Sequence, residues 1–321
     1  MTREDPRPDS HGVPESPTQL PKRSWLAVLK RTAKEFQRDK VTDWAAALTY
    51  YAVLSLFPAL LAIVSLLGLF GASATRSATA DLTALAPGPA KQTLGPVLQA
   101  LQSNHQAAGV ATGIGIVVAL WSASGYVAAF IRATNALYDI PEGRPLWVTL
   151  PLRVGITAML IVLVVIGTFA VVFTGGLADK AGQALGIGET GVAIWNIGKW
   201  PVLVILVALV LALLYWMAPN VRQPRFRWLT PGSLLAVILW IVASLLFALY
   251  VAKFGSYNKT YATLAGVVIF LIWLWITNIA VLLGVELDAE LARERFIKAG
   301  HAADETPYVD PRGTRKMKKE G

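Results

Sequence analysis

Long apolar segments separated by short polar ones make up most of the chain after residue 42. From Thr263 to Val285 no residue is charged, and Thr277 and Asn278 are the only strongly polar interruption. At 1.5 Å per residue this stretch forms a helix of about 35 Å, longer than the roughly 30 Å hydrocarbon core of a bilayer. The pattern therefore predicts a membrane-spanning helix with a polar interruption inside it.

The same pattern predicts five further spans, so the expected fold is an all-α membrane protein with a six-transmembrane-helix bundle and short amphipathic interfacial helices. The glycine-rich segment 175–191 is predicted to be a loop, and a short amphipathic helix is expected near 94–101. The five other predicted spans cover residues 43–70, 110–137, 148–174, 200–217 and 231–252. The predicted division is a disordered tail at 1–21, a basic amphipathic interfacial helix at 22–41, a transmembrane domain at 42–297 and a disordered basic tail at 298–321.

Polar residues inside the predicted spans are the first candidates for function, because such groups face a protein interior or a cavity. Small and polar residues in span one recur every four positions, which favours close helix packing and leaves a solute path as the alternative. Hydroxyls near the middle of span two are of the kind that bond to the carbonyl one turn earlier. Pro58 lies in the middle of span one and predicts a helix kink. The candidate intramembrane polar residues are Tyr50, Tyr51, Ser55, Ser122, Ser124 and Asn278.

Charge sets the expected orientation. The chain has a formal net charge of +9, and its basic residues concentrate in segments that would lie on one side of the membrane. Placing that side in the cytoplasm follows the positive-inside rule, so both termini are expected there, in a bacterial plasma membrane. The basic helix at 22–40 and the basic C-terminal tail are expected to contact anionic lipid, which we favour over a nucleic-acid surface.

Four charged residues are brought to one level by this topology. Asp43 begins span one and Glu286 ends span six, while Arg132 ends span two and Arg153 begins span three. The arginines can simply extend to the interface while the acids act as solvated helix caps. The alternative is a charged cytoplasmic vestibule, with the acids facing the arginines and Asn278 lying deeper.

Several sequence motifs resemble those of the YihY/BrkB family of bacterial inner-membrane proteins, long named ribonuclease BN or virulence factor BrkB. The resemblance covers about residues 25–297. Its motifs are the apolar segment ending Leu-Leu-Gly-Val-Glu-Leu-Asp-Ala-Glu-Leu, the segment Ala-Leu-Thr-Tyr-Tyr-Ala-Val-Leu-Ser-Leu-Phe-Pro at 47–58, Trp-Ser-Ala-Ser at 121–124 with Asn135 and Tyr138 after it, and Ala-Pro-Asn-Val at 218–221 with Pro231-Gly232. The resemblance implies an integral membrane protein and no settled biochemistry.

The residues do not favour an enzyme. A metal-dependent nuclease needs clustered ligands that activate water, but His11, His105 and His301 have no partner at ligand spacing. There is no cysteine, no nucleotide-binding loop and no cofactor motif. We therefore expect a protein that moves a lipid or small solute across or within the membrane; the alternative is a non-catalytic envelope scaffold. A second copy of the chain or an envelope protein are the protein partners left open.

Overall fold

The computed structural model describes residues 21–68, 117–118, 120–172, 188–223, 229–254 and 262–315. Their secondary structure is helical, and within these ranges the only strand-like pairing is an isolated backbone bridge between Val221 and Pro311. The named helices are α1 (Lys22–Arg38), α2 (Val41–Gly68), α3 (Gly125–Leu137), α4 (Leu146–Val172), α5 (Gly188–Met217), α6 (Pro231–Phe254) and α7 (Ala262–Lys298).

Four segments of the described chain are long and apolar enough to cross a membrane. They are Leu146–Gly167, Ala193–Met217, Pro231–Tyr250 and Gly266–Lys298, within α4 to α7. The class of helical, multi-pass membrane protein is confirmed, whereas the count of six spans stays a prediction. The predicted amphipathic helix at 94–101, most of the tail at 1–21 and residues 316–321 lie outside the described residues.

α7 is the central helix, because it packs against α1, α2, α3 and α6. Its contact with α6 is closest at Gly232 and Gly284, where a Cβ added to either glycine would overlap the carbonyl oxygen of the other. Small residues allow membrane helices to approach closely, and here no larger residue fits. The Pro231-Gly232 motif and the Leu-Leu-Gly motif of the sequence therefore meet across one helix contact.

Two prolines, Pro201 and Pro58, lie inside helices of the structure. α5 begins at Gly188, so the predicted loop at 175–191 is wrong for its last four residues, and Pro201 lies inside the helix rather than in its first turn. Membrane helices tolerate an internal proline because neighbouring groups satisfy the freed carbonyl. α2 likewise continues through Pro58, and the kink there stays a prediction.

α1 forms where the sequence predicts a basic amphipathic helix and packs against α7 and α2. The side facing the bundle is mixed in character, with Ser24, Val28 and Glu35 all buried. Leu26 and Leu29 are instead 61 % and 50 % exposed on the outer side of the helix. That exposed apolar side fits an interfacial helix, and its contact with lipid stays a prediction.

The segment after α7 is ordered up to residue 315 and corrects the prediction of a disordered tail. Tyr308 is 4 % exposed, and its hydroxyl donates to the carbonyl of Leu137 at 3.3 Å. The Arg312 side chain donates to the carbonyl of Val221 at 2.7 Å, and the Arg222 N–H donates to the carbonyl of Asp310 at 2.7 Å. Tertiary contacts therefore hold a segment whose composition alone suggested disorder. We call the end of the bundle that carries it the tail end.

Candidate functional site

Two arginines lie on neighbouring helices near the tail end of the bundle, and we call Arg132 of α3 and Arg153 of α4 the arginine pair. α3 ends at Leu137 and α4 begins at Leu146, so both arginines lie near the same turn. With 1.5 Å per residue, Arg132 lies about 8 Å before the end of its helix and Arg153 about 10 Å after the start of its own. Both arginines therefore lie within their helices and not in the turn that connects α3 to α4.

Arg153 is held in a defined orientation by residues before α3. Its Nε donates to the Ser124 hydroxyl at 2.8 Å, and its guanidinium lies 4.7 Å from the centre of the Trp121 ring. Ser124 is fully buried and donates in turn to the carbonyl of Trp121 at 2.6 Å. The sequence suggests a bond to the carbonyl four residues back; the hydroxyl instead bonds the carbonyl three residues back and also positions Arg153.

Arg132 is exposed and faces α2. Its guanidinium lies 5.4 Å from the centre of the Tyr51 ring, which is close enough for a cation–π interaction. Gly125 brings the backbone of α3 near the same helix, because a Cβ there would lie 3.8 Å from Tyr51 and 3.9 Å from the Ser55 hydroxyl. That hydroxyl is buried and has no hydrogen-bond partner among the described residues. Tyr50 and Ser122 are exposed beside this group.

Neither member of the arginine pair has a carboxylate within ion-pair distance in the described part of the chain. The arginines that do form ion pairs there are Arg31, Arg38, Arg144 and Arg293. Arg132 and Arg153 are close enough for their positive charges to repel each other. The pair is thus a concentration of positive charge on α3 and on the membrane-spanning segment of α4, and the described part of the protein does not neutralise it.

The predicted vestibule of paired charges does not form among the described residues. Asp43 is exposed in the first turn of α2 and makes no ion pair there. Glu286 is 1 % exposed, and its Oε2 has no hydrogen-bond partner in the described structure. Its charged neighbours are the acids Glu35, Asp39, Asp139 and Glu290, which we call, together with Glu286, the acidic cluster.

Asn278 connects helices instead of lining a path. Its Nδ2 donates to the Thr49 hydroxyl at 3.1 Å, and its Oδ1 accepts from the Tyr126 hydroxyl at 3.0 Å. The Thr49 hydroxyl donates to the carbonyl of Ala45 at 2.8 Å. Because Asn278 is 1 % exposed, this network joins α2, α3 and α7 with its side-chain amide satisfied. Such a network stabilises a specific packing arrangement.

Cations from two directions offset the acidic cluster. Arg31 of α1 reaches Glu290 at 2.6 Å and Glu294 at 2.8 Å, and Arg293 pairs with Asp139 at 2.5 Å. Burial, followed by the negative charges of Asp139 and Glu35, raises the pKa of Asp39 to about 6. The cluster is a structural junction between α1, α7 and the turn after α3, and no group of three His, Cys, Asp or Glu residues able to hold a metal ion occurs in the described chain.

A second polar junction explains motif residues to which the sequence assigned no role. Asn135 donates to Glu142 at 2.9 Å and accepts from the backbone N–H of Asn220 at 2.7 Å. The Asn220 side chain bonds both the carbonyl and the N–H of Gly313, at 3.0 and 2.9 Å. Glu142 also accepts two hydrogen bonds from the Arg144 guanidinium in a bidentate pair, with both N···O distances 2.7 Å. Burial alone would raise the pKa of Glu142, but its bonds to Arg144 outweigh burial and hold that pKa below its ordinary value.

Asp288 is a further residue that sequence reasoning missed. One carboxylate oxygen accepts from the Gly232 N–H at 2.8 Å and the other accepts from the Thr230 hydroxyl at 2.5 Å. An acid at this position satisfies free N–H groups at the start of α6 and interacts favourably with its dipole. The acidic residues near the end of α7 were the signal in the sequence that an acid could cap a helix. The helix that Asp288 caps begins more than fifty residues earlier in the chain.

A bundle of apolar helices with polar and charged side chains inside it defines a helical multi-pass membrane protein. The family model described as Virulence factor BrkB matches residues 32–308. The chain belongs to that family, as its motifs indicate.

Two curated proteins illustrate what the chain is similar to, and one of them is named a membrane protein. Ribonuclease-like protein YfkH of Bacillus subtilis (strain 168) is 27 % identical over 88 % of this chain and 100 % of its own. A UPF0761 membrane protein of Alkalilimnicola ehrlichii is 30 % identical over 81 % of this chain and 57 % of its own length. No solved structure matches the chain.

Proposed function

We propose that this membrane protein moves a lipid or a small solute across or within the membrane. The observation that supports the proposal is the arginine pair, two positive charges on α3 and on the apolar span of α4 with no carboxylate partner in the described chain. A charged side chain inside a bilayer is costly and marks a substrate or ion path by default. The exposed hydroxyl of Ser122 adds a polar group that a headgroup or solute can contact.

The proposed location is a bacterial plasma membrane, with the tail end and both termini in the cytoplasm. The basic residues of α1, Arg144 and the linker around Arg222 lie at the tail end, and an excess of basic residues on the cytoplasmic side is the general rule. Reporter fusions after Asp139 and Val221 should report cytoplasm, and fusions within 178–198 should report the opposite side. The reverse pattern would refute this orientation.

Contact of α1 with anionic lipid is part of the proposal. Lys30 and Lys34 are exposed and form no ion pair among the described residues, whereas Arg31 is bound to Glu290 and Glu294. The exposed Leu26 and Leu29 lie beside these lysines on the outer side of the helix. An apolar strip next to a basic one is the arrangement that places a helix in the membrane interface.

The alternative function is a non-catalytic envelope scaffold that recruits a protein or a second copy of itself. The observation that favours it is the Asn278 network, which fills the space between α2, α3 and α7 at the level where a path would continue. Under either function we propose that the protein is not an enzyme and binds neither cofactor nor nucleic acid. The ribonuclease-like name of the B. subtilis relative would, if it applied here, require a group of residues able to activate water.

A translocation assay separates the two functions. The full chain is reconstituted into liposomes carrying a head-labelled lipid, and the fraction of label accessible to a membrane-impermeant quencher is followed over time. Transport predicts faster exchange between leaflets with the parent than with empty liposomes, and a loss of that exchange in a variant with Arg132→Gln and Arg153→Gln. Equal rates with parent, variant and empty liposomes, for labelled lipids and for entrapped small solutes, would refute transport and leave the scaffold.

A further inference from the structure

The arginine pair presents unused hydrogen-bond donors. In Arg153 only Nε bonds to a described residue, the Ser124 hydroxyl, and the described structure gives its terminal Nη groups no acceptor. The Arg132 guanidinium has the face of the Tyr51 ring as its contact, and no hydrogen bond or ion pair within the described chain. Each guanidinium group lies beside an aromatic ring, and apart from the Nε of Arg153 its N–H groups have no acceptor in the described chain and can bind a ligand.

The charge of the pair points to an anionic ligand. Two guanidinium groups that repel each other on packed apolar helices raise the free energy of the protein unless a negative group lies near them. Elsewhere at this end the protein supplies such partners itself, as in the pair of Arg31 with Glu290. The described part of the chain supplies none at Arg132 and Arg153, which leaves room for the negative charge of another molecule.

The shape of the pair favours a phosphate over a carboxylate. Each guanidinium is a planar fork that binds two oxygens of one group, and two forks on different helices need oxygens that point in more than two directions. A phosphate offers such oxygens, whereas the two oxygens of a carboxylate lie in one plane and can bind only one fork in the bidentate way, as the second arginine then shares an oxygen. Ser122, next to Trp121 in the sequence, is also exposed.

We propose that Arg132 and Arg153 together bind the phosphate of an anionic molecule at the tail end of α3 and α4, with Ser124 positioning Arg153. The phosphate belongs either to an anionic phospholipid headgroup or to a water-soluble phosphate ester. This proposal rests on the proposed function, because it names the chemical class of what the arginine pair takes up. Basic pockets between membrane helices on the cytoplasmic side are a recognised place for anionic headgroups.

The test measures binding rather than movement. The full chain is placed in nanodiscs of phosphatidylcholine, and either phosphatidylglycerol in the disc or glycerol 3-phosphate in solution is titrated. Binding is followed by native mass spectrometry and by the shift of the unfolding temperature. The variants are Arg132→Gln, Arg153→Gln and both together, each with its Arg→Lys counterpart. Arg38→Gln is the matched control, because Arg38 is an exposed arginine outside the spans that pairs with Glu35.

Each single Gln variant should bind glycerol 3-phosphate about tenfold more weakly, as expected for the loss of a charged hydrogen bond, and the double variant should not bind it measurably. For phosphatidylglycerol the double variant should keep only the binding that α1 contributes. The Lys variants should bind more strongly than the Gln variants and more weakly than the parent, since they keep the charge and lose the fork. Ser124→Ala should weaken binding by a smaller factor without changing any charge. Arg38→Gln should bind like the parent.

The two probes separate the possible sources of the phosphate. Arginine-dependent binding of phosphatidylglycerol alone assigns the site to a headgroup, and arginine-dependent binding of glycerol 3-phosphate assigns it to a soluble ester. Equal binding of both probes by parent and double variant would overturn the proposal. Where a Gln variant fails to fold, Ser124→Ala and the Lys variants decide the outcome. A parent that binds phosphate through this pair but moves nothing across liposomes would refute transport and leave this site standing.

Discussion

The arginine pair and the acidic cluster lie at the same end of the bundle and differ in how the protein treats their charge. Arg31 and Arg293 bring cations to Glu290 and Asp139. Arg132 and Arg153 receive an aromatic ring and a hydroxyl from the described chain, but no acid. Charges neutralised by the chain itself hold elements together, whereas charges left without a partner are available to a ligand. The same residue type therefore serves two purposes a few helices apart.

The largest expected effect breaks the acidic cluster. Arg31→Gln leaves Glu290 and Glu294, which are 2 % and 5 % exposed, buried without that cation. Removing one partner of such a pair should lower the free energy of unfolding by about 3 kcal/mol, measured by thermal unfolding in nanodiscs. In neutral nanodiscs Lys30→Gln, an exposed change of equal charge at the preceding position, is the control and should have little effect. An unchanged unfolding temperature for Arg31→Gln would show that the pair does not stabilise the docking of α1.

A smaller effect is expected on the outer side of α1. Changing Lys30 and Lys34 to Gln should reduce the extra stability that the parent gains in anionic over neutral nanodiscs, by about 1 kcal/mol for each charge near the surface. The measurement is the difference in unfolding temperature between the two kinds of disc. High salt should shrink the difference for the parent too, because it screens surface charge. A parent that unfolds at the same temperature in both lipids would contradict the interfacial assignment.

A smaller change still is expected in the stability of the arginine pair. Arg153→Gln removes the bond to Ser124 but also removes repulsion with Arg132, so the free energy of unfolding should change by no more than about 1 kcal/mol. Comparing it with Arg31→Gln tests the same substitution at a neutralised and at an unneutralised arginine. If Arg153→Gln costs as much as Arg31→Gln, the contrast between the two regions is wrong.

The smallest effect concerns pH and Asp39. Its pKa is raised to about 6 from an ordinary value of 3.8, so between these values the folded protein binds more protons than the unfolded one. Stability then falls as pH rises through that window. Asp39→Asn should raise the free energy of unfolding at pH 7.5, by about 0.5 kcal/mol or less because solvent screens this partly exposed group. The difference between variant and parent should vanish near pH 4, and a difference that persists there would exclude titration as its cause.

Element types were predictable because apolar length and proline position are local properties of the sequence. α6 begins at the predicted Pro231, and α1 lies within the predicted 22–41. α5 extends further toward the N-terminus than predicted, because Pro201 was taken as the start of a helix that in fact continues through it. Helix ends that neighbouring helices stabilise carry no local signal of their own.

The partners of charged residues were not predictable, because they lie far apart in sequence. The sequence groups Glu286 with Arg153 because both are expected at one depth in the membrane. Depth does not specify the direction of a side chain around the bundle. Arg31 finds its acids 259 and 263 positions away. The tail at 299–315 looked disordered because many of its contacts are made by backbone groups and single side chains, such as Tyr308, without a repeating apolar pattern.

The bond between Asn220 and Gly313 has a consequence for biosynthesis. Gly313 is synthesised 93 residues after Asn220, which at typical rates of translation is a delay on the order of ten seconds. During that interval α6 and α7 have to enter the membrane, while Asn220 can bond Asn135 and Pro141 but not Gly313. The contact of the C-terminal segment with this loop therefore forms last. Insertion of the helices and docking of the C-terminal segment are separate events in time. The docking completes an arrangement that the inserted helices have already formed.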